Sequence, residues 1–207
     1  MTDATTIATF AQQMIAAGEM FHARGWVPAT GGNFSVRLDA EQVLITASGN
    51  HKGELREEHF LVATLDGKPL DQFISGGRKA SYETLLHMQI YRRVPEAKAV
   101  LHVHTTANTL LSRRFEQIAL TNYELLKVLP GTPDPQAEVI IPVFGNDQNI
   151  ARLSATVDAH MVKLPATPAY LIAGHGLYAW GRDVAEARHR VEAIEFMLEC
   201  HLRELSL

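Results

Sequence analysis

His102 and His104 stand two residues apart in the apolar stretch AVLHVHT, residues 99–105. In an extended strand, residues two apart project to the same face, so both imidazoles point one way while Leu101 and Val103 point the other. Two imidazole nitrogens at that spacing can chelate one divalent ion, and borderline-soft Zn²⁺ suits them at about 2.0–2.1 Å. The pair also fits two histidines held by ordinary hydrogen bonds in a core or at a surface, and the strand alone leaves both readings open. A catalytic zinc site takes three protein ligands and keeps one position free. His175, between Gly174 and Gly176 in LIAGHGLYAWG, is the best third candidate, because flanking glycines permit close backbone approach. His22, His160, His189 and His201 fall on helical stretches among polar residues, where a solvated face accounts for them. His87 follows Glu83 by four residues on one helical face, placed either to pack or to orient a neighbouring group.

Two loops offer a second kind of chemistry. Thr30-Gly31-Gly32-Asn33 and Ser48-Gly49-Asn50 present backbone N–H groups and small polar side chains of the kind that cradle an anion. Such clusters are equally ordinary turns. His51 and Lys52 add positive charge beside the second loop, and Ser81 offers a hydroxyl just ahead of Glu83.

The elements that must position these groups follow from periodicity and punctuation. A first helix is expected over Thr5 to Arg24, ended by Gly25. NFSVRLD and QVLITAS read as a hairpin turning at Leu38 to Glu41, and HFLVATL reads as a third strand closed by Asp66-Gly67. A helix from Ser81 to about Arg93 stops near Pro95, and AVLHVHT follows as a strand. AEVIIPVF is a further strand, placed at an edge or bulge by Pro142. A helix over Asp147 to His160, the strand or hairpin AYLIAGHGLYAWG, and a last helix N-capped by Asp183 complete the chain. Early consecutive strands followed by strands interrupted by helices predict an α/β or α+β arrangement with a mostly antiparallel sheet.

Bulk composition narrows the class. With 207 residues and 46% hydrophobic content, the chain is expected to form one domain over 1–207 with a sizeable core. A net charge of −4 gives no footprint for nucleic acid, and no apolar run is long enough to span a bilayer. The polar, acidic start MTDATTIATFAQQ argues against a signal peptide. A single cysteine, Cys200, excludes an internal disulfide and fits a cytoplasmic location.

Taken in order, ATGGNFSVR, LITASGNHKG, SYETLLHMQIYRRVPEAKAVLHVHT and LIAGHGLYAWG resemble the class II aldolase/adducin family over nearly the whole chain. The resemblance implies a three-layer α/β/α fold around a mainly antiparallel central sheet, assembled as a homotetramer. It implies one Zn²⁺ per subunit on His102, His104 and His175, and a phosphorylated sugar contacted by Asn33, Ser48, Gly49 and Ser81. Glu83 corresponds to the carboxylate that the family's sugar-phosphate aldolases place beside zinc as acid/base. ALTNYELLKVLPG instead resembles the family's methylthioribulose-1-phosphate dehydratase branch, which implies an acid/base role for Glu124. From the residues alone, Glu124 reads as a surface helix residue paired with Lys127. The implied reaction is loss of water from 5-methylthioribulose 1-phosphate to give 2,3-diketo-5-methylthiopentyl 1-phosphate, in methionine salvage. A fuculose- or ribulose-phosphate-type aldolase or epimerase is the alternative, and a non-catalytic adducin-like scaffold a further one. Tyr82 departs from the small residue expected beside Ser81.

Overall fold

The structure, a computed structural model, describes residues 3–70, 78–131 and 134–205. Among these residues eight strands form one sheet: β1 Asn33–Arg37, β2 Gln42–Thr46, β3 Phe60–Thr64, β4 Ala99–Val103, β5 Gln117–Leu120, β6 Val139–Phe144, β7 Ala169–Ile172 and β8 Gly176–Gly181. Their order is β3-β2-β1-β4-β8-β7-β6-β5, and every neighbouring pair is antiparallel except β6 with β7. The described residues include five α-helices that cover it: α1 Ala4–Ala23, α2 Thr84–Arg93, α3 Thr106–Arg114, α4 Ile150–Lys163 and α5 Val184–Glu204.

Strand alternation builds two apolar layers. Phe34, Val36, Leu101, Val103 and Leu177 share one face with side chains of α1, α3 and α5. Val43, Ile45, Val100, Tyr170 and Tyr178 face α2 and α4 on the other. This is the α/β/α arrangement expected from the resemblance. Leu101 and Val103 lie on the face opposite His102, as the period of two requires.

Some elements differ from the sequence reading. α2 begins at Thr84 rather than Ser81, because Ser81 closes a turn that accepts both the Thr84 N–H at 3.1 Å and its hydroxyl at 2.6 Å. α4 begins at Ile150, where the Asn149 side chain accepts the Arg152 N–H and so marks the start. Pro142 does not lie on an edge strand, since β5 is the edge and β6 is interior. Its missing N–H is tolerated because the β6–β7 ladder starts only at Val143 and Phe144. α3 and β5 have no clear sequence signal: TTANTLLSRR carries neither a strong apolar stripe nor an obvious stop.

Candidate active site

Registration across three strands aligns the centre of the site. Asn33 on β1 pairs with His102 on β4, and His102 pairs with Tyr178 on β8. The Tyr178 ring stacks on the His102 imidazole at 3.9 Å and 13°. His102 Nδ1 lies 2.9 Å from the Leu177 carbonyl oxygen. A carbonyl can only accept, so Nδ1 carries the proton and Nε2 keeps its lone pair. That Nε2 stands 2.8 Å from His104 Nε2 and 3.4 Å from His175 Nε2.

His104 lies just past the end of β4, held by its backbone N–H on the Trp26 carbonyl at 2.8 Å. His175 sits in the β7–β8 turn, where Gly174 takes φ +64°. Gly176 allows the closest approach: a Cβ there would lie 2.3 Å from the Val103 carbonyl oxygen and 2.7 Å from the His102 ring. Glycine on both sides of His175 is what lets this turn press against β4.

These histidines suit a divalent ion. Burial holds the His102 pKa well below its ordinary value and pushes that of His104 down to about 4, so both are neutral at neutral pH. The three rings bring one donor nitrogen each within 4.8 Å of one another. Tetrahedral ligands at about 2.0–2.1 Å stand roughly 3.3 Å apart, close to the separations here. Among the described residues, His175 Nδ1 is buried without a hydrogen-bond partner. Three imidazoles crowded onto one point satisfy a cation better than they satisfy each other.

Glu83 closes one side of this cluster from the turn before α2. Its Oε1 lies 2.8 Å from His175 Nε2 and its Oε2 lies 3.5 Å from His102 Nε2. Burial works to raise its pKa, but hydrogen bonds from His175 and from the amide of Asn33 favour the charged form and carry the carboxyl below the usual carboxylate range.

The same face opens into a cavity of about 250 Å³, whose walls include Ser48, Gly49, Ser81, Glu83, His104 and His175. Asn33 also borders it, but its side chain is turned inward, donating to Glu83 Oε2 at 2.5 Å and accepting from His87. Its amide is therefore already engaged rather than offered to an anion. Lys52, beside the second loop in sequence, is 2% exposed and ties the two loops together. Its Nζ donates to the Thr30 and Asn50 carbonyls at 2.8 and 2.7 Å, and burial pushes its pKa down to about 8. Tyr82 is 65% exposed and donates its hydroxyl to the Gln148 carbonyl.

Glu124 lies elsewhere. It begins a short 3₁₀ helix, Glu124–Val128, with its side chain 74% exposed and 2.6 Å from Lys127. It lines neither of the cavities beside the histidines, so within one chain it is not brought to the cluster. The second of those cavities, about 560 Å³, is bordered by Pro28, Thr106, Thr109, Leu110, His104 and His175. The threonines and Leu110 sit on α3, the helix that the sequence did not announce.

Comparison with known proteins agrees with this architecture. Residues 12–202 match the family described as Class II Aldolase and Adducin N-terminal domain. A methylthioribulose-1-phosphate dehydratase of Methylococcus capsulatus is 48% identical over 96% of both chains. A Pseudomonas aeruginosa protein of the same name is 46% identical over 95% of both. Among solved structures, an L-fuculose-1-phosphate aldolase from Thermus thermophilus is 26% identical over 96% of both chains, with a TM-score of 0.76. On sequence and fold together, the chain belongs to the class II aldolase and adducin family.

Proposed function

We propose that the chain removes water from 5-methylthioribulose 1-phosphate to give 2,3-diketo-5-methylthiopentyl 1-phosphate, with one Zn²⁺ on His102, His104 and His175. The reading rests on one observation above all: the Glu83 carboxylate and two of the three converging imidazoles, His104 and His175, border the cavity that the Ser48-Gly49 loop also lines, with His102 buried behind them. Relatives named for this reaction, 42–48% identical over more than nine-tenths of the chain, support the choice of substrate.

When bound, the ion supplies Lewis-acid polarisation of the C2 ketone and stabilises the negative charge that develops there. The chain's residues do the rest. Ser48, Gly49 and Ser81 offer hydroxyl and N–H donors to the phosphate, with Lys52 as counter-charge. Glu83 takes the proton from C3; the hydroxyl at C4 leaves with a proton as water, and the resulting enol ketonises. General acid–base help of this kind contributes about 10²–10⁴-fold, so Glu83→Gln is expected to cut turnover by that order with zinc content retained.

Glu124 is the candidate for the second proton transfer, from a neighbouring chain of a homotetramer that seats its exposed carboxylate over the cavity. Glu124→Gln is then also severely slowed, and mixing it with a separately inactive His175→Ala chain restores part of the activity. No recovery in the mixed assembly removes Glu124 from the partner's site.

The fold is shared with fuculose-phosphate aldolases, which keeps a retro-aldol reading in view. The products separate the two. Zinc-loaded protein incubated with the substrate is expected to give a diketone lighter by one water; dihydroxyacetone phosphate and an aldehyde would overturn the dehydration.

A further inference from the structure

Behind Glu83 runs a row of buried polar side chains inside the otherwise apolar layer between the sheet and α2. Asn33 Nδ2 is 2.5 Å from Glu83 Oε2, Asn33 Oδ1 meets His87 Nε2, His87 Nδ1 is 2.7 Å from Ser35 Oγ, and Ser35 Oγ is 2.8 Å from the Tyr91 hydroxyl. Ser35 and His87 are fully buried, with Tyr91 1% and Asn33 4% exposed. Polar groups are costly in such a layer unless each is satisfied, and here each satisfies the next.

Elementary hydrogen-bond chemistry sets the direction of every link. The Asn33 amide turns its nitrogen to Glu83 Oε2 and its oxygen to His87 Nε2. The oxygen only accepts, so His87 Nε2 carries the proton. A neutral imidazole then has Nδ1 as acceptor, which Ser35 fills with its hydroxyl proton. The remaining lone pair of Ser35 takes the proton of Tyr91. All four donors therefore point toward Glu83: Asn33 holds its Oε2, and its Oε1 is left toward His175.

We propose that His87 is a positioning residue for Glu83, acting through Asn33 and itself oriented by Ser35 and Tyr91. It fixes the angle of the carboxylate against the reacting carbon and never touches substrate. The inference rests on the reading that Glu83 moves the proton, and it extends that reading to residues in the strand β1 and the helix α2. The spacing is what the fold supplies: Asn33 and Ser35 are two apart on a strand, His87 and Tyr91 four apart on a helix, so both pairs face one another in the same layer.

The test compares His87→Leu, which removes both links, with His87→Gln, whose amide N–H reaches about as far as Nε2. In zinc-loaded protein, His87→Leu is expected to lower kcat about 10- to 100-fold with KM and zinc content unchanged, and His87→Gln to recover most of the loss. Equal loss in both variants, or a change confined to KM, would overturn the proposal. Should His87→Leu not fold, Ser35→Ala and Tyr91→Phe carry the same comparison, with a smaller fall in kcat expected and no fall overturning it. In the Glu83→Gln background, His87→Leu should add nothing further; independent, multiplying effects would show that His87 does not act through Glu83. Full activity of Glu83→Gln by itself would instead sink the acid/base reading, so the two failures are told apart. Nitrogen-15 histidine NMR of the metal-free protein supplies a check that does not involve turnover: His87 should be the neutral Nε2–H tautomer, and an Nδ1–H tautomer would reverse the chain and overturn the proposal.

Discussion

At the scale of single residues, the site depends on contacts too close for any alternative side chain. Gly176→Ala puts a methyl 2.3 Å from the Val103 carbonyl oxygen and 2.7 Å from the His102 ring, and β4 cannot retreat without breaking its pairing with β8. Overpacking of this sort costs about 1–3 kcal/mol, and the displaced ring should weaken zinc binding at least about ten-fold. Denaturant unfolding of the metal-free protein and competition with a chromogenic chelator measure the two effects; unchanged zinc affinity would dissociate the glycine from the metal. His87 yields a pH prediction. Burial pushes its pKa from 6.5 down to about 4, so the folded chain keeps it neutral while the unfolded chain takes up a proton below 6.5. Stability is therefore lost as pH falls from about 6.5 to 4, by roughly 3 kcal/mol at about 1.4 kcal/mol per unit. His87→Gln cannot titrate and should lack this part of the acid slope, so identical slopes in the two proteins would contradict it.

Elements meet at a second buried carboxylate. Glu195 on α5 accepts from the Thr105 hydroxyl at 2.5 Å and from the Asn108 amide at 2.8 Å, at the N-terminus of α3. Thr105 and Asn108 form the capping box of that helix, directly after His104. α5 thus pins the start of α3, and with it the chain leaving the second histidine of β4. Glu195→Ala would leave two buried donors unpaired and is expected to cost about 2–4 kcal/mol, whereas Glu195→Gln retains an acceptor and costs less. Burial raises the Glu195 pKa from 4.5 to about 7. The folded chain then holds a proton that the unfolded chain releases, so this group's stabilising effect declines as pH rises from 4.5 to 7. Glu195→Gln removes that decline; thermal unfolding at pH 5 and pH 7 compares the two. Neither Glu195 nor α3 stood out in the sequence, because a glutamate on an amphipathic helix looks solvated until a neighbour covers it.

For the whole molecule, the site is a junction of distant segments. β1, β4 and β8 are adjacent in the sheet although about seventy residues separate each from the next, and α2 closes the layer over them. A ligand that binds only this folded arrangement must stabilise it. Zinc at about 100 times its dissociation constant should raise the unfolding free energy by about 2.7 kcal/mol. His175→Ala should lose that increment, measured as the difference between zinc-loaded and chelator-treated protein; an equal increment in the variant would remove His175 from the ligand set.

The sequence by itself determined the periodic parts. Alternation put His102 and His104 on one face, punctuation located most strands and helices, and paired glycines flagged His175. The ordered motifs carried the family and its three-layer fold. What alternation could not do was choose a partner strand, since register is set by packing between segments far apart in the chain. Only the tertiary structure set Asn33 beside His102 and turned it toward Glu83 rather than outward, buried Lys52 between two loops, and left Glu124 exposed on its own chain. These are outcomes of which groups become neighbours in a low-dielectric interior, where an unpaired polar atom costs more than any local preference can override.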